Sequence, residues 1–301
     1  QIIKINEMLL DQSLYAGHSQ YKQDLIGLYQ ANSILPQEVP IKEEKPMFVW
    51  SLEQHDQCHN CFANLNKPVK CRVEMCQHYF CSEKCEEENF NKYGFVHWST
   101  PKQKFIDLQA ISTPFLDGIA VYKAYAFLLS RYFSELIAHQ DEKLALLNAL
   151  KPFALLRQKP SNFSLEKCQQ LTETLEEIIN PRAAFKSLYP DYFCEAKFPA
   201  LKNIFQKEFC KFIVDVMQFS SVRIGQNQFG LFQTLSLINH RCDANISYIY
   251  QNGQLSIQRL RAIKPQEELT MKKVEGEDYN KRLKEMQLRG WECECDSCLT
   301  R

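Results

Sequence analysis

The chain has no surplus of charge: 36 Lys and Arg balance 36 Asp and Glu over 301 residues. A neutral surface has no long-range field with which to recruit nucleic acid or an anionic membrane. Small basic clusters such as Lys272-Lys273 and Lys281-Arg282 read as solvated surface. Also missing is an apolar run of about twenty residues, the length a membrane-spanning helix needs. The longest run, Ile119 to Leu129, is broken by Lys123 and reads as a buried helix. No basic-then-apolar leader follows Gln1, and a chain opening on Gln rather than Met leaves an upstream leader open. Internal repeats and low-complexity tracts are absent as well, which removes repeat architectures.

Cysteine, by contrast, is plentiful, with thirteen in the chain. Nine of these fall into two arrays with metal-ligand spacing, and no secretory leader accompanies them. That combination favours reduced thiolates on zinc, in the cytoplasm or nucleus, over disulfides. The first array is Cys58-x2-Cys61, Cys71-x4-Cys76 and Cys81-x3-Cys85, trailed by His97. Short Cys knuckles place two thiolates on one side of a tetrahedral ion. Three knuckles and a His suit two zinc ions if the pairs interleave. A segment this poor in large apolar groups needs such binding energy to fold. A RING-type ubiquitin-ligase finger would close with Cys-x2-Cys soon after the third knuckle, and none follows. The second array, Cys293-x-Cys295-x2-Cys298, supplies three ligands and needs a fourth from elsewhere. Cys242 is the candidate, and a zinc there would tie the chain's tail to an internal loop.

Short apolar pieces predict strands at Ile26–Tyr29, Val39–Lys42 and Met47–Trp50. Thr113 and Pro114 predict the cap and first turn of a helix running through Tyr125 to Ile137. Further helices are expected at Glu142–Leu150, Ser164–Ile179 and Lys202–Val214, all burying apolar faces. After Phe229 the pattern turns to strands. Asn245–Tyr250 and Gln254–Leu260 flank Asn252-Gly253, a hairpin signal because both turn residues must tolerate positive φ. A turn and strand at Pro265–Lys273 and a polar helix at Asp278–Leu288 complete the reading.

Several stretches then resemble one family in order along the chain. Gly27-Leu28-Tyr29 and Glu44-Lys45-Pro46-Met47-Phe48 resemble opening SET-domain strands. Tyr79-Phe80-Cys81-Ser82-x2-Cys85 is similar to a MYND finger. Ser236-Leu237-Ile238-Asn239-His240-Arg241-Cys242-Asp243-Ala244-Asn245 resembles the SET segment SLLNHSCxPN, and Glu267-Glu268-Leu269-Thr270 its EELT. Trp291-Glu292-Cys293-Glu294-Cys295-x2-Cys298 resembles the post-SET motif. The whole is similar to SET-and-MYND proteins, whose members transfer methyl groups from S-adenosylmethionine to protein lysines.

The resemblance implies an α+β fold: a β-rich SET domain split by a MYND-type zinc finger and a helical insert, with a post-SET zinc cluster. The implied boundaries are 1–50 for the N-terminal SET part and 51–101 for the finger. The insert follows at 102–215, the C-terminal SET core at 216–276 and the post-SET segment at 277–301. It assigns Cys58, Cys61, Cys81 and Cys85 to one zinc, and Cys71, Cys76 and His97 to a second. The family's last finger ligand falls on Pro101, so His78 or a water completes that site, or the site is weak. Gly27, Ser236, Asn239, His240 and Trp291 stand at cofactor-binding positions.

The pattern breaks at the catalytic position. Where the family has the active-site tyrosine after EELT, this chain has Lys273. A lysine of ordinary pKa, about 10.4, is cationic at neutral pH. Beside a sulfonium at roughly 4 Å it would repel by about 4 kcal/mol at an effective dielectric of about 20. That costs about a thousandfold in binding or rate. Burial would soften the penalty by depressing the lysine pKa. Tyr279, six residues on, replaces the tyrosine only if the backbone loops back. The first glycine of the family's cofactor turn is Leu25, and its Asn before Ser-Phe is Met217. Two functions follow as expectations. One is a methyltransferase scaffold with a degenerate site. The other is a non-catalytic module whose finger docks proline-containing peptides. Both imply a protein or peptide partner, no direct nucleic-acid binding, no membrane and a monomer.

Overall fold

In the computed structural model, the Asn252-Gly253 signal becomes a hairpin turn with φ of 52° and 79° at the two residues. The structure describes residues 2–9, 14–21, 25–30, 40–53, 56–72, 78–97, 102–156, 159–179, 198–274 and 278–289, with Trp291, Cys293, Cys295 and Cys298. The expected Val39, Cys76, Pro101 and the side chain of His97 lie outside the described residues.

The chain opens with α1 (Ile2–Met8), β1 (Leu14–His18), β2 (Ile26–Gln30), β3 (Lys42–Glu44) and β4 (Phe48–Ser51). The cysteine-rich segment adds β5 (Val69–Lys70), β6 (Tyr79–Phe80) and α2 (Glu83–His97). A helical region follows: α3 (Lys102–Ala110), β7 (Ser112–Thr113), β8 (Leu116–Asp117), α4 (Gly118–His139), α5 (Glu142–Ala154), α6 (Leu165–Ile178) and α7 (Lys207–Ser220). The remainder is β9 (Val222–Gly225), β10 (Gln228–Leu231), α8 (Gln233–Ser236), β11 (Asn239–His240), β12 (Ile246–Gln251), β13 (Gln254–Arg259), β14 (Glu268–Met271) and α9 (Tyr279–Leu288). The protein is thus α+β, as the sequence predicts.

Among the described residues one sheet runs β1-β2-β14-β12-β13-β3, with β11 parallel to β14. It brings the two ends of the chain together, because Leu28 of β2 pairs with Leu269 of β14. Leu14, Leu28, Leu255, Ile257 and Leu269 fill its core with Phe232 and Leu235. A second sheet, β4-β10-β9, packs Phe48, Trp50 and Phe229 against α4 and the other helices. Trp50 donates its indole N–H to the Phe115 carbonyl at 3.0 Å, which satisfies the polar end of a buried ring.

Two local expectations need correction. Thr113 does not cap α4. It lies in β7, and its hydroxyl instead closes the tight turn by accepting from Phe115 N and donating to the Leu116 carbonyl. The cap is Asp117, which accepts from Ala120 N at 2.8 Å. The helix predicted over Lys202–Val214 is two pieces, a 3₁₀ turn at Pro199–Asn203 and α7. Tyr125 donates its hydroxyl to the Ile204 carbonyl at 2.7 Å, taking an acceptor that a continuous helix would have used. Ser164, Asp141 and Asp278 cap α6, α5 and α9 through their side chains.

Among the described residues no helix is long and apolar enough to cross a membrane.

Candidate zinc clusters and the cleft between them

The first cluster forms because β5 and β6 fold back and α2 starts two residues after Cys81. Ser82 accepts from Cys85 N and Glu86 N at that helix start. Cys58, Cys61, Cys81 and Cys85 thereby bring four sulfurs within 4.8 Å of one another. The Cys58–Cys85 and Cys61–Cys81 sulfurs stand 3.6 and 3.7 Å apart. Four thiolates around a tetrahedral zinc at ~2.3 Å would be separated by ~3.8 Å. The donor set fits zinc. Without a metal the crowded thiols share protons: Cys58 is pushed toward thiolate by hydrogen bonds from Cys61 and Cys85, whose own thiols are pushed up. Asn60 also donates to the Cys85 sulfur at 3.2 Å.

Of the other finger candidates, Cys71 is buried nearby and its N–H donates to the His78 carbonyl. The rings of His59 and His78 stack at 3.9 Å. With Cys76 and the His97 side chain outside the described residues, the second finger ligand set is not assembled here. Gly253 of the β12–β13 turn lies against the first cluster: a Cβ there would stand 2.7 Å from the Cys61 Cβ. Tyr250 donates its hydroxyl to the Cys61 carbonyl at 2.9 Å.

The second cluster joins Cys242, just after β11, to Cys293, Cys295 and Cys298 of the tail. Cys242 lies 3.9 Å from the Cys293 sulfur and 3.5 Å from that of Cys298. This donor set also fits zinc.

The expected cofactor residues lie between β2, β14 and the tail. Gly27 is not in a turn but in mid-strand β2, and a Cβ there would come within 2.7 Å of the Glu268 carboxyl carbon. Glu268 is fully buried and accepts from the Ser19 hydroxyl at 2.9 Å and from Gln20 N at 2.7 Å. Asn239 gives its amide to Glu268, and to the Ile26 carbonyl at 3.2 Å. Its side chain therefore braces the β1–β2 hairpin against β14. Ser236 is fully buried and donates its hydroxyl to the Ser220 and Phe232 carbonyls.

His240 stacks on Trp291 with ring centres 6.2 Å apart and 18° between planes, and its Nδ1 accepts from Lys273 N at 3.0 Å. Burial and the nearby Lys273 ammonium lower the His240 pKa to about 4. Lys273 is 8% exposed, and its Nζ lies 5.6 Å from the Trp291 ring centre and 3.5 Å from the Ser236 carbonyl. The side chain therefore ends buried between the Trp291 ring face and the Ser236 carbonyl. Tyr279 stands in the first turn of α9 with the Arg282 guanidinium 6.0 Å from its ring centre. Tyr248 donates to the Arg223 carbonyl as a sheet residue. An open cleft of about 720 Å3 adjoins this group, lined by Arg223, Ile224, Tyr248, Tyr250, Met271 and Lys272.

Two elements of the site escaped sequence reasoning. Glu268 is legible only as part of a motif, not as the anchor of Asn239. Arg289 is fully buried among aromatic rings, yet a cation at the end of a polar helix gives no sequence signal of burial.

Residues 12–272 match the SET domain family. Histone-lysine N-methyltransferase SMYD3 of Mus musculus is 24% identical over 251 residues, 81% of this chain and 51% of that protein. Histone-lysine N-methyltransferase SET5 of Eremothecium gossypii is 32% identical over 108 residues, 35% of this chain and 21% of that protein. A SET and MYND domain-containing protein of Dictyostelium discoideum is 30% identical over 95 residues, 30% of this chain and 7% of that protein. The chain therefore spans at most about half the length of these relatives.

Proposed function

Since this chain belongs to the SET domain family, we propose that it is a zinc-stapled protein-lysine methyltransferase scaffold of the SET-and-MYND type whose methyl-transfer centre is degenerate. Its finger spans 51–101, its helical insert 102–215 and its post-SET segment 277–301. The observation that carries the reading is Lys273. Its ammonium is buried over Trp291, at the position where the family's tyrosine presents a neutral oxygen.

The residues in this arrangement do not fit a sulfonium donor. Asn239 spends its amide on Glu268 and Ile26 rather than facing a ligand. The Glu268 carboxyl occupies the space over Gly27. Lys273 adds a like charge where methyl transfer needs a site that disfavours extra positive charge. Methyl transfer from S-adenosylmethionine is therefore slow or absent, and the scaffold acts mainly by binding.

Zinc, by contrast, is supported by the sulfur spacing in both clusters. The metal's contribution is structural: one ion orders the finger against β12 and β13, and one closes the tail onto β11. The partner is a protein or peptide segment, taken by the finger and by the cleft beside β9. That strand ends its sheet among the described residues, where an added strand would replace the Tyr248 hydroxyl on the Arg223 carbonyl. Zinc held by reduced thiolates supports a cytoplasmic or nuclear location.

Calorimetric titration with S-adenosylmethionine tests the reading. The expected result for the native chain is no binding, or binding weaker than about 1 mM, with no methylation of added peptide by mass spectrometry. Lys273→Tyr is expected to tighten cofactor binding at least tenfold, because about 1.4 kcal/mol or more of charge repulsion is removed. Micromolar binding with turnover by the native chain would instead establish a working enzyme.

A further inference from the structure

The most unusual charge in the molecule is not Lys273 but Arg289. Its side chain is 0% exposed, although it closes the polar helix α9. Three rings surround its guanidinium carbon: Phe115 at 4.1 Å, Trp291 at 4.8 Å and Phe229 at 5.8 Å. Phe115 and Phe229 meet at 88°, forming two perpendicular walls, and Trp291 supplies a third. These rings come from the β7–β8 turn, from β10 and from the tail, so three distant segments converge on one cation.

The polar contacts are few by comparison. Nη1 donates to the Ser221 carbonyl at 3.1 Å, and Nη2 lies 3.3 Å from Glu285. Nε finds no hydrogen-bond acceptor among the described residues, and Nη2 meets only the Glu285 carboxylate, as an ion pair without hydrogen-bond geometry. A guanidinium carries five N–H donors, and a buried one placed only for stability is ordinarily met by acceptors on most of them. Here it is held by ring faces, the way aromatic cages hold ligand cations. Burial lowers its pKa to about 10, which leaves it cationic at neutral pH.

We propose that Phe115, Phe229 and Trp291 form an aromatic cage for an alkylammonium or guanidinium group, and that Arg289 is its resident occupant. The cage is closed from within. Ring faces recognise charge and shape rather than a fixed pattern of donors, so an external alkylated ammonium fits the same walls once the arginine is gone. Arg289 and Trp291 are two residues apart, so withdrawing the guanidinium shifts the segment carrying one wall. This inference is independent of methyl transfer and stands whether or not the chain binds S-adenosylmethionine.

The test uses Arg289→Ala in the full chain, with ethylguanidinium and tetramethylammonium as probes and N-ethylurea as the neutral control. Loss of the cation is expected to lower the melting temperature by about 5 °C. Millimolar ethylguanidinium restores at least half of that shift, saturably and with a change in tryptophan fluorescence. N-ethylurea restores none, and the native chain responds to neither. Rescue is expected to persist when Glu285→Gln is added. Its loss in that double variant would assign the cation to the ion pair and overturn the cage. Equal rescue by the neutral control, or none in a folded variant, also overturns it. Should Arg289→Ala not fold, Arg289→Lys is expected to melt well above Arg289→Met, and equal melting of those two rejects the proposal.

Discussion

A methyl group added at Gly253 would meet the Cβ of Cys61 at 2.7 Å, on a backbone whose φ of 79° already disfavours any side chain. The residue thus serves two purposes, turning the β12–β13 hairpin and letting the finger's first knuckle approach it. Gly253→Ala is expected to cost about 2 kcal/mol, combining left-handed strain with the clash. It should also loosen the finger, read as faster zinc loss to a chromogenic chelator. If melting and zinc release are both unchanged, the finger does not rest on this turn. Asn252 beside it has φ of 52° and tolerates it because Asn can bond its own backbone locally. Gly27 imposes a similar constraint elsewhere, since any side chain there would displace the Glu268 carboxyl that anchors Asn239.

Among elements, α4 organises the helical region. Its first two turns pack Ala120, Val121, Ala124 and Tyr125 against β4, α5 and α7. Asp117 satisfies the helix's first N–H groups while buried, and burial raises its own carboxyl pKa even though Ala120 N donates to it. Asp117→Ala is expected to lower stability by about 1–2 kcal/mol in a denaturant melt. Asp117→Asn, which can still cap, should recover most of that. A larger loss in Thr113→Ala than in Asp117→Ala would return the cap to the residue that the sequence suggested. At the other helix start, the Glu44 carboxylate of β3 accepts from Thr234 N and Leu235 N. An acid near the beginning of the chain thereby caps α8, a helix 190 residues later, through side-chain reach that no local pattern reveals.

At the scale of the molecule, the two four-cysteine clusters bring together positions far apart in the chain. Cys242 and Cys298 lie 3.5 Å apart across 56 residues of chain. In zinc-finger peptides, structural zinc contributes on the order of 10 kcal/mol to folding. Cys242→Ser is expected to lose one zinc per chain by elemental analysis and to expose the tail to trypsin at Lys281, Arg282 and Lys284. Cys168→Ser, at a buried thiol in the helical region outside both clusters, should keep its zinc. A zinc content unchanged by Cys242→Ser would remove the post-SET cluster from the account.

Much of this was present in the order of residues. Short spacing showed that each Cys knuckle shares an ion, while the grouping of Cys58 and Cys61 with Cys81 and Cys85 came from the resemblance to a MYND finger. Cys242 joined the tail trio by reason of ligand number. The hairpin at Asn252-Gly253 was legible because positive φ restricts residue choice. Other features became visible only in three dimensions. Thr113 and Asp117 are equivalent as caps in a local reading, and only the β7–β8 turn separates their roles. That the Asn239 amide braces Glu268 and the Ile26 carbonyl is visible only in the fold. Arg289 looks solvated on a polar helix. Its burial arises from where Phe115 and Phe229 stand, and rings from separate segments meet only after the chain has folded. Sequence by itself determined the family and the strand hairpin and singled out the two cysteine arrays, since each rests on short-range motifs. Tertiary structure decided which charges are buried and what they face, because burial is a property of packing between distant segments.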